Sequence, residues 1–542
     1  MQKDLFGNII QETISIKEVS NIVSVSEATI RNWIKTGYLE KYSNGRITKE
    51  SLDKFLSEIA GKEKLVARAN KSRKDSHDNE ELKIWIDTQL KNKKTNIDEI
   101  SVEYEKRLSN SFKNKEGIYY TPLDIIENMF EGIIINKNAT FLDPACGTGN
   151  FIIKAIEKGI NPENVYGFDV DENAVKITKE RIYRKTGYRT DNIKNINFLD
   201  YVVLSKEKQK FDLIFTNPPW GKKIKKDEKF KYGQLLNAKN SLDTTSLFLF
   251  ASLQVLKDNG LIGFLVQEAL FNIAGFEDIR KELLNYNILR IVDYGKAFSK
   301  LLTKAQAIVL QKNKENNKIK CETTKSIDYL SKQTFKKNPK TIFSFWIKNE
   351  DAEVIDAFFE KPHIKLKNNA KWGLGIVTGN NKRYCSSVPK KGFIPIYKGA
   401  DILPKTLKNP SCYIPDDFSL YQQVAPIELY QAKEKLIYRF ISSKLIFYYD
   451  TKQQFILNSA NLLIPSDNFG ITAKQLADLL NSKPMNWLFQ KLFNTHKILR
   501  NDLESLPIHI DFFKEYSSFN EKKYLEFLKI TELSNGAYRI KK

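Results

Sequence analysis

The apolar run Ala139-Thr140-Phe141-Leu142 leads directly into Asp143-Pro144-Ala145-Cys146-Gly147-Thr148-Gly149-Asn150-Phe151, after which Ile152, Ile153, Ala155 and Ile156 recur at helical spacing. A strand, a glycine-rich turn and a helix in that order form the opening of a nucleotide-binding α/β unit. Glycines let the main chain approach a ligand closely, and the N-terminus of the following helix offers N–H groups. A second expected strand, Val165-Tyr166-Gly167-Phe168, ends at Asp169, where a carboxylate can hold two ribose hydroxyls. A third expected segment, Ile196-Asn197-Phe198-Leu199, ends at Asp200-Tyr201, an acid to accept an adenine amino group and a ring to pack on it. The pattern predicts a doubly wound, mostly parallel sheet with these acids along its carboxyl edge.

Further along, Phe211-Asp212-Leu213-Ile214-Phe215 reads as another strand and is followed by Asn217-Pro218-Pro219-Trp220. Asn-Pro-Pro is an ordinary strand-ending turn, but it also suits one kind of chemistry. The nitrogen of a planar amino group is a poor nucleophile because its lone pair is delocalised into the neighbouring π-system. An Asn oxygen and the carbonyl of the first Pro can each accept one N–H and favour a tetrahedral nitrogen whose lone pair faces an electrophile. The prolines fix φ and stiffen the turn. Trp220 adds a flat face for stacking.

Taken together, these residues resemble the S-adenosylmethionine-dependent N6-adenine DNA methyltransferases of restriction-modification systems, in the gamma class whose cofactor motifs precede the catalytic motif. The resemblance spans residues 115 to 310, and more loosely 370 to 510. It implies a Rossmann-like class I methyltransferase fold with S-adenosylmethionine as cofactor. By that likeness Tyr120 and Thr121, before the expected helix Leu123 to Phe130, flank the methionine end of the cofactor. Asp143, Pro144, Ala145, Cys146, Gly147 and Gly149 hold its amino acid part, Asp169 the ribose, and Asp200 with Tyr201 the adenine. Asn217, Pro218, Pro219 and Trp220 form the catalytic turn, and Phe298 stacks against a target base flipped out of the duplex. The sequence departs from the usual pattern at Trp220, where Tyr or Phe is common, and at Gln267-Glu268, where Pro-Ser is more usual.

The formal net charge of +22 agrees with a phosphate-binding partner, double-stranded DNA. Part of it reflects a general abundance of Lys, so local clustering carries more weight. The segment Gly221 to Lys231, expected as a loop, places Lys222 and Lys223 directly after the catalytic turn. Four scattered cysteines, Cys146, Cys321, Cys385 and Cys412, suggest neither a disulfide framework nor a metal site. None follows a proline, which argues against the Pro-Cys nucleophile of cytosine-C5 methylation. The first residues have no signal-peptide core and no apolar stretch is long enough to span a bilayer, so the expected location is cytoplasmic.

The N-terminus has its own pattern. Ile16, Val19, Ile22 and Val23 suit a short helix, Ser26 a cap, and Ile30, Trp33 and Ile34 a second helix whose other face carries Arg31, Asn32 and Lys35. Ser43 to Arg46 reads as a wing, and Thr48 as the cap of a third helix with Leu52, Phe55, Leu56 and Ile59 inside. The segment resembles the winged helix-turn-helix of excisionase and mercury-resistance-type regulators, which implies DNA contact through Arg31, Asn32 and Lys35. A small helical bundle for protein docking is the alternative.

The expected organisation is therefore a winged helix-turn-helix at 1–60, a charged linker and helix at 61–110, the methyltransferase domain at 111–345, and an α+β target-recognition domain at 346–542. Leu82 to Leu108 is expected to be helical. Leu436 to Phe440 and Leu445 to Tyr449 are strand candidates in a C-terminal third that resembles specificity domains of these enzymes; Arg439, Lys452 and His496 are candidate DNA contacts there. Pro415-Asp416 and Asp450-Thr451-Lys452 have a superficial nuclease spacing but read as loop and strand residues, so no endonuclease is expected in the chain and a partner nuclease would be separately encoded. Adenine-N6 methylation by base flipping is the leading reading. Cytosine-N4 methylation, or a DNA-binding regulator with a secondary or inactive methyltransferase domain, are the alternatives.

Overall fold

The computed structural model describes residues 12–23, 27–35, 38–41, 46–59, 81–108, 121–205, 207–222, 224–297, 303–313 and 318–541. Tyr120, Lys223 and Phe298 lie outside these residues, as do Ser26, residues 43–45 and the expected linker 61–80; Asn32 and Lys35 are described in their main chain alone. Contacts divide the chain into two compact units: Met1–Tyr120 with Gly147–Gly149 and Asp171–Ile193, and Thr121–Cys146 with Asn150–Val170 and Lys194–Lys542.

In the first unit, Ser15 caps the helix Ile16–Ile22 through a reciprocal bond with Glu18. A second helix runs Glu27–Lys35, and Thr48 caps a third, Lys49–Lys54, by accepting from the Ser51 N–H at 3.3 Å. Strands β1 (Thr13–Ile14) and β2 (Ile47–Thr48) pair antiparallel beside them. Val19, Ile30, Trp33, Leu39, Ile47, Leu52 and Phe55 form the core, with the Trp33 and Phe55 rings 4.7 Å apart. Of the apolar residues of the first helix, Val19 is fully buried and Ile22 is 56% exposed.

The same unit holds two helices, 81–91 and Ile97–Arg107, where the periodicity predicts one continuous helix. Asn96 breaks the pattern: its side chain accepts from the Asp98 N–H and starts a new helix. Leu82, Ile86, Tyr104 and Leu108 pack against Ala174 and Ile177 of the helix Glu172–Thr186.

In the second unit, a nine-stranded sheet is built from β3 (Phe141–Asp143), β4 (Val165–Asp169), β5 (Ile193–Asn195), β6 (Phe211–Thr216), β7 (Leu256–Gln267), β8 (Asn287–Asp293), β9 (Ala305–Gln311), β10 (Ile319–Glu322) and β11 (Ile327–Leu330). Its order is β11-β10-β8-β9-β7-β6-β3-β4-β5. Strands β4, β3, β6 and β7 are mutually parallel, whereas β9 runs antiparallel to both neighbours, β7 and β8. The chain moves outward from β3 through β4 to β5, then returns to place β6 on the other side of β3. That reversal puts the topological switch point at the carboxyl ends of β3 and β6, the place where ligands of open α/β sheets bind. Phe130 stacks on Phe215 of β6 with ring centroids 4.5 Å apart.

The third acidic position differs from expectation. The strand is Ile193–Asn195, and Phe198–Leu204 is a helix capped by Asn197, so Asp200 and Tyr201 lie in its first turns. An apolar run as short as Ile196 to Leu199 fits either structure by pattern, and the Asn197 cap decides it.

Beyond the sheet, Ala370–Leu374, Ala460–Pro465, Lys435–Arg439 and Phe447–Asp450 form an antiparallel four-stranded sheet, with the helices Ala473–Leu480 and Lys483–Phe493 following. The second helix starts with Ser482 as cap and Pro484 in its first turn. Lys435 and Asp450, both fully buried, meet at 2.5 Å, and Asp450 also accepts the N–H groups of Lys452 and Gln454. Asp450 is thereby committed to structure.

Candidate active site

Asp143 closes β3 and is 1% exposed. Its Oδ1 accepts the Thr216 hydroxyl at 2.6 Å and the Ala145 N–H at 3.1 Å. Burial is the largest influence on its carboxyl and pushes it up from the ordinary 3.8 to about 7; the two hydrogen bonds act against this and the nearby Asp169 adds to it. Thr216 is the last residue of β6, so this bond joins the start of the glycine-rich turn to the residue preceding Asn217.

Asp169 closes β4, and its carbonyl accepts the Asn195 amide at 3.0 Å. Gly167, two residues earlier, is needed for packing: a Cβ there would stand 2.7 Å from Ile152 and 3.1 Å from Cys146. The Cys146 N–H donates to the Phe168 carbonyl at 3.0 Å, which fixes the turn against β4. Asp200 accepts the Tyr232 hydroxyl on Oδ1 at 2.8 Å, leaving a second carboxylate oxygen, and Tyr201 lies 4.8 Å from the Phe168 ring. Burial and the bond to Asp200 hold the Tyr232 phenol well above its usual range. Tyr232 and Thr216 carry no motif in the sequence; they are recognisable only from the pairing.

Asn217 follows β6 directly, half-buried, with Pro218 buried and Pro219 half-buried. Trp220 is 5% exposed, and its indole N–H donates to the Leu265 carbonyl of β7 at 3.4 Å. The edge of the ring is thus fixed to the sheet and little of the ring is open. At the end of β7, the Glu268 N–H donates to the Lys304 carbonyl at 3.2 Å. Burial raises the Glu268 carboxyl, while Lys304 and His496 act against this. Glu268 and His496 each stand out in the sequence, but their approach to one another does not.

Thr121 is buried just ahead of the helix Leu123–Met129. Pro144 is buried and Ala145 half-buried in the turn after β3. Gly147 and Gly149 both have positive φ, +49° and +90°, the conformation that favours glycine. Lys222 accepts on its carbonyl from the Thr244 hydroxyl at 2.8 Å. The basic segment expected as a loop becomes helical at Lys226–Leu235. In the first unit Arg31 is exposed and paired with Glu27 at 2.7 Å on the same helix. In the C-terminal sheet Arg439 donates to the Ile402 carbonyl at 2.9 Å, an internal structural contact.

Comparison with known proteins matches three regions of the chain. A Helix-turn-helix domain model matches residues 13–59, an N-6 DNA Methylase model residues 95–382, and a TaqI-like C-terminal specificity domain model residues 394–508. Over 409 residues the chain is 43% identical to the type II methyltransferase M.VspI of Vibrio sp. (strain 343), covering 74% of this chain and 99% of that protein. It is 27% identical over 195 residues to the modification methylase CviBIII of Paramecium bursaria Chlorella virus NC1A, covering 35% of this chain and 48% of that protein. Among solved structures, the DrdV–DNA complex is similar in fold with a TM-score of 0.51, at 13% identity over 92% of this chain and 70% of that chain. The chain belongs to the N-6 DNA methylase family and is an adenine-N6 DNA methyltransferase with an N-terminal helix-turn-helix and a C-terminal specificity domain.

Proposed function

We propose that the protein is the modification component of a restriction-modification system and methylates adenine N6 at one double-stranded DNA sequence, protecting that site from a separately encoded endonuclease. The observation that supports it most is the arrangement at the switch point. Asn217 follows the end of β6, and the preceding Thr216 is bonded to Asp143 at the head of the turn assigned to the cofactor.

The residues present fit S-adenosylmethionine. Gly147 and Gly149 have the backbone freedom for a close-approaching ligand, Asp169 offers a carboxylate to the ribose, and Asp200 keeps one oxygen for the adenine amino group beside Tyr201. Thr121 and Tyr120 flank the methionine end. Bound there, the cofactor supplies a sulfonium methyl as electrophile and leaves as S-adenosylhomocysteine.

The target adenine leaves the duplex, at a cost of about a few kcal/mol, and is seated at the turn against the edge of Trp220, with Phe298 as the second aromatic assigned to it. The Asn217 side-chain oxygen and the Pro218 carbonyl each accept one N6 hydrogen, which draws the lone pair onto nitrogen and aims it at the methyl. Pro219 keeps the turn rigid. The transferred methyl leaves N6 with one proton too many, and that proton passes out through one of the two accepting oxygens to solvent. Lys222 and Lys223 contact the strand entering the site, and Arg31, Asn32 and Lys35 contact DNA from the helix-turn-helix. The specificity domain reads base edges.

The test is single-molecule sequencing of DNA from cells expressing the protein beside an Asn217→Ala control. N6-methyladenine at one motif in the wild type alone supports the reading. Modified cytosine in its place, or the same modification in the control, contradicts it.

A further inference from the structure

We propose that Thr178, Arg181 and Asp98 are positioning residues that aim the N–H groups of the turn Gly147–Gly149 at the cofactor, so that cofactor affinity is set in part by the helix Glu172–Thr186 and the helix Ile97–Arg107. The inference rests on the reading of that turn as the cofactor turn.

Two bonds carry it. The Thr178 hydroxyl donates to the Gly147 carbonyl at 2.8 Å, and Arg181 Nη1 donates to the Thr148 carbonyl at 2.7 Å. A trans peptide is planar, with its N–H pointing opposite to its C=O. The Gly147 carbonyl shares a peptide with the Thr148 N–H, and the Thr148 carbonyl shares one with the Gly149 N–H. Anchoring both oxygens on one helix therefore turns two consecutive N–H groups away from that helix. Approach is close: a Cβ on Gly149 would stand 2.8 Å from Thr178.

Arg181 is itself held in place. Its side chain is 6% exposed and Nη2 lies 2.8 Å from Asp98 Oδ1, with Nε bonded to the same oxygen at 2.9 Å. Asp98 is in the first turn of the helix Ile97–Arg107, and Glu105 of that helix accepts the Thr148 hydroxyl at 3.1 Å. An argininium fixed by a carboxylate keeps one orientation toward the Thr148 carbonyl, and a charge-assisted bond of this kind is stronger than a neutral one. The helical segment ahead of the glycine-rich turn thus acts on the turn through Asp98 and Arg181.

The experiment measures S-adenosylhomocysteine binding by calorimetry, together with steady-state methyl transfer, on the full-length protein carrying Asp98→Ala, Arg181→Lys or Thr178→Val. The Asp98 side chain is 67% exposed but its removal takes the counter-charge from the nearly buried Arg181, so melting temperature checks folding for all three. Affinity is expected to fall about 10-fold for each variant, with KM for the methyl donor rising in parallel, kcat within about 3-fold and DNA affinity retained. A fourth variant, Arg181→Met, is expected to bind more weakly than Arg181→Lys, because a Lys keeps a charged donor to the Thr148 carbonyl. Wild-type affinity in folded Asp98→Ala and Thr178→Val, while Asp169→Ala loses binding, would overturn the positioning role and leave the cofactor site standing. Wild-type affinity in Asp169→Ala and Gly149→Ala as well would remove the cofactor reading and this inference together.

Discussion

The Thr216 hydroxyl donates to Asp143 Oδ1 at 2.6 Å across 73 residues of chain, joining the carboxyl ends of two adjacent parallel strands. One strand leads into the glycine-rich turn and the other into Asn-Pro-Pro-Trp. Because Asn217 is covalently next to Thr216, the bond fixes the Asn-Pro-Pro-Trp turn, the proposed catalytic turn, relative to the turn after β3. Thr216→Val preserves shape but removes the donor, leaving a buried acceptor short of a partner at a cost of about 1–3 kcal/mol. Urea denaturation is expected to show that loss, with kcat reduced and cofactor affinity affected less.

Stability should depend on pH through Asp143. Burial raises its carboxyl to about 7 in the folded protein, so the folded state holds a proton that the unfolded chain releases near the ordinary 3.8. The folded state therefore binds more protons between these values, and stability falls as pH rises toward about 7, then levels off. Asp502, also raised to about 7 by burial, adds a slope of the same sign. Asp143→Asn is expected to flatten part of the decline in melting temperature measured across this range, and an unchanged decline would contradict the assignment.

The Lys435–Asp450 pair tests the structural reading of a spacing that looks like a nuclease fragment. Both side chains are fully buried. Asp450→Asn leaves a buried ammonium without its counter-charge and is expected to cost about 3–5 kcal/mol by denaturant unfolding, whereas Lys435→Met with Asp450→Leu removes the unpaired charge but not the need of the Lys452 and Gln454 N–H groups for an acceptor, and is expected to fall between that variant and wild type. Neither change is expected to abolish methyl transfer.

How much of the molecule is legible in its sequence follows from how local each feature is. The positive φ of Gly147 and Gly149, the cap at Thr48 and the acid ending β4 all depend on a few consecutive residues, and the sequence shows them directly. Asp200 reads as the end of a strand because a four-residue apolar run cannot separate strand from helix; the Asn197 cap is the local signal that does. The break at Asn96 is hidden in the same way, since periodicity in the flanking segments continues across it. Tyr232 on Asp200 and Thr216 on Asp143 join residues 32 and 73 positions apart, and only the folded sheet brings them together. The bond from Arg439 to the Ile402 carbonyl, 37 positions away, is likewise visible only in the fold.

The basic segment after the Asn-Pro-Pro-Trp turn gives a prediction in salt. Lys225, Lys226 and Lys231 are exposed at and beyond the start of the helix Lys226–Leu235. If they neutralise phosphates, changing all three to Gln reduces the slope of log affinity against log salt by about 0.9 for each phosphate no longer neutralised. Affinity for specific and unrelated duplexes is expected to fall together, because phosphate binding carries no sequence information. Fluorescence anisotropy over a salt series checks this, and an unchanged slope would place the segment off the DNA.

The most direct measurement is single-turnover methyl transfer to a duplex containing the target site, comparing wild type with Asn217→Ala, alongside S-adenosylhomocysteine affinity for both. With the side-chain acceptor for N6 removed, the rate of the chemical step is expected to fall by about 10²–10³-fold or more, as when a preorganised polar group is taken from other active sites, while cofactor and DNA affinities stay within about 3-fold. A variant that transfers methyl at the wild-type rate would contradict the assignment of the Asn-Pro-Pro-Trp turn as the catalytic centre.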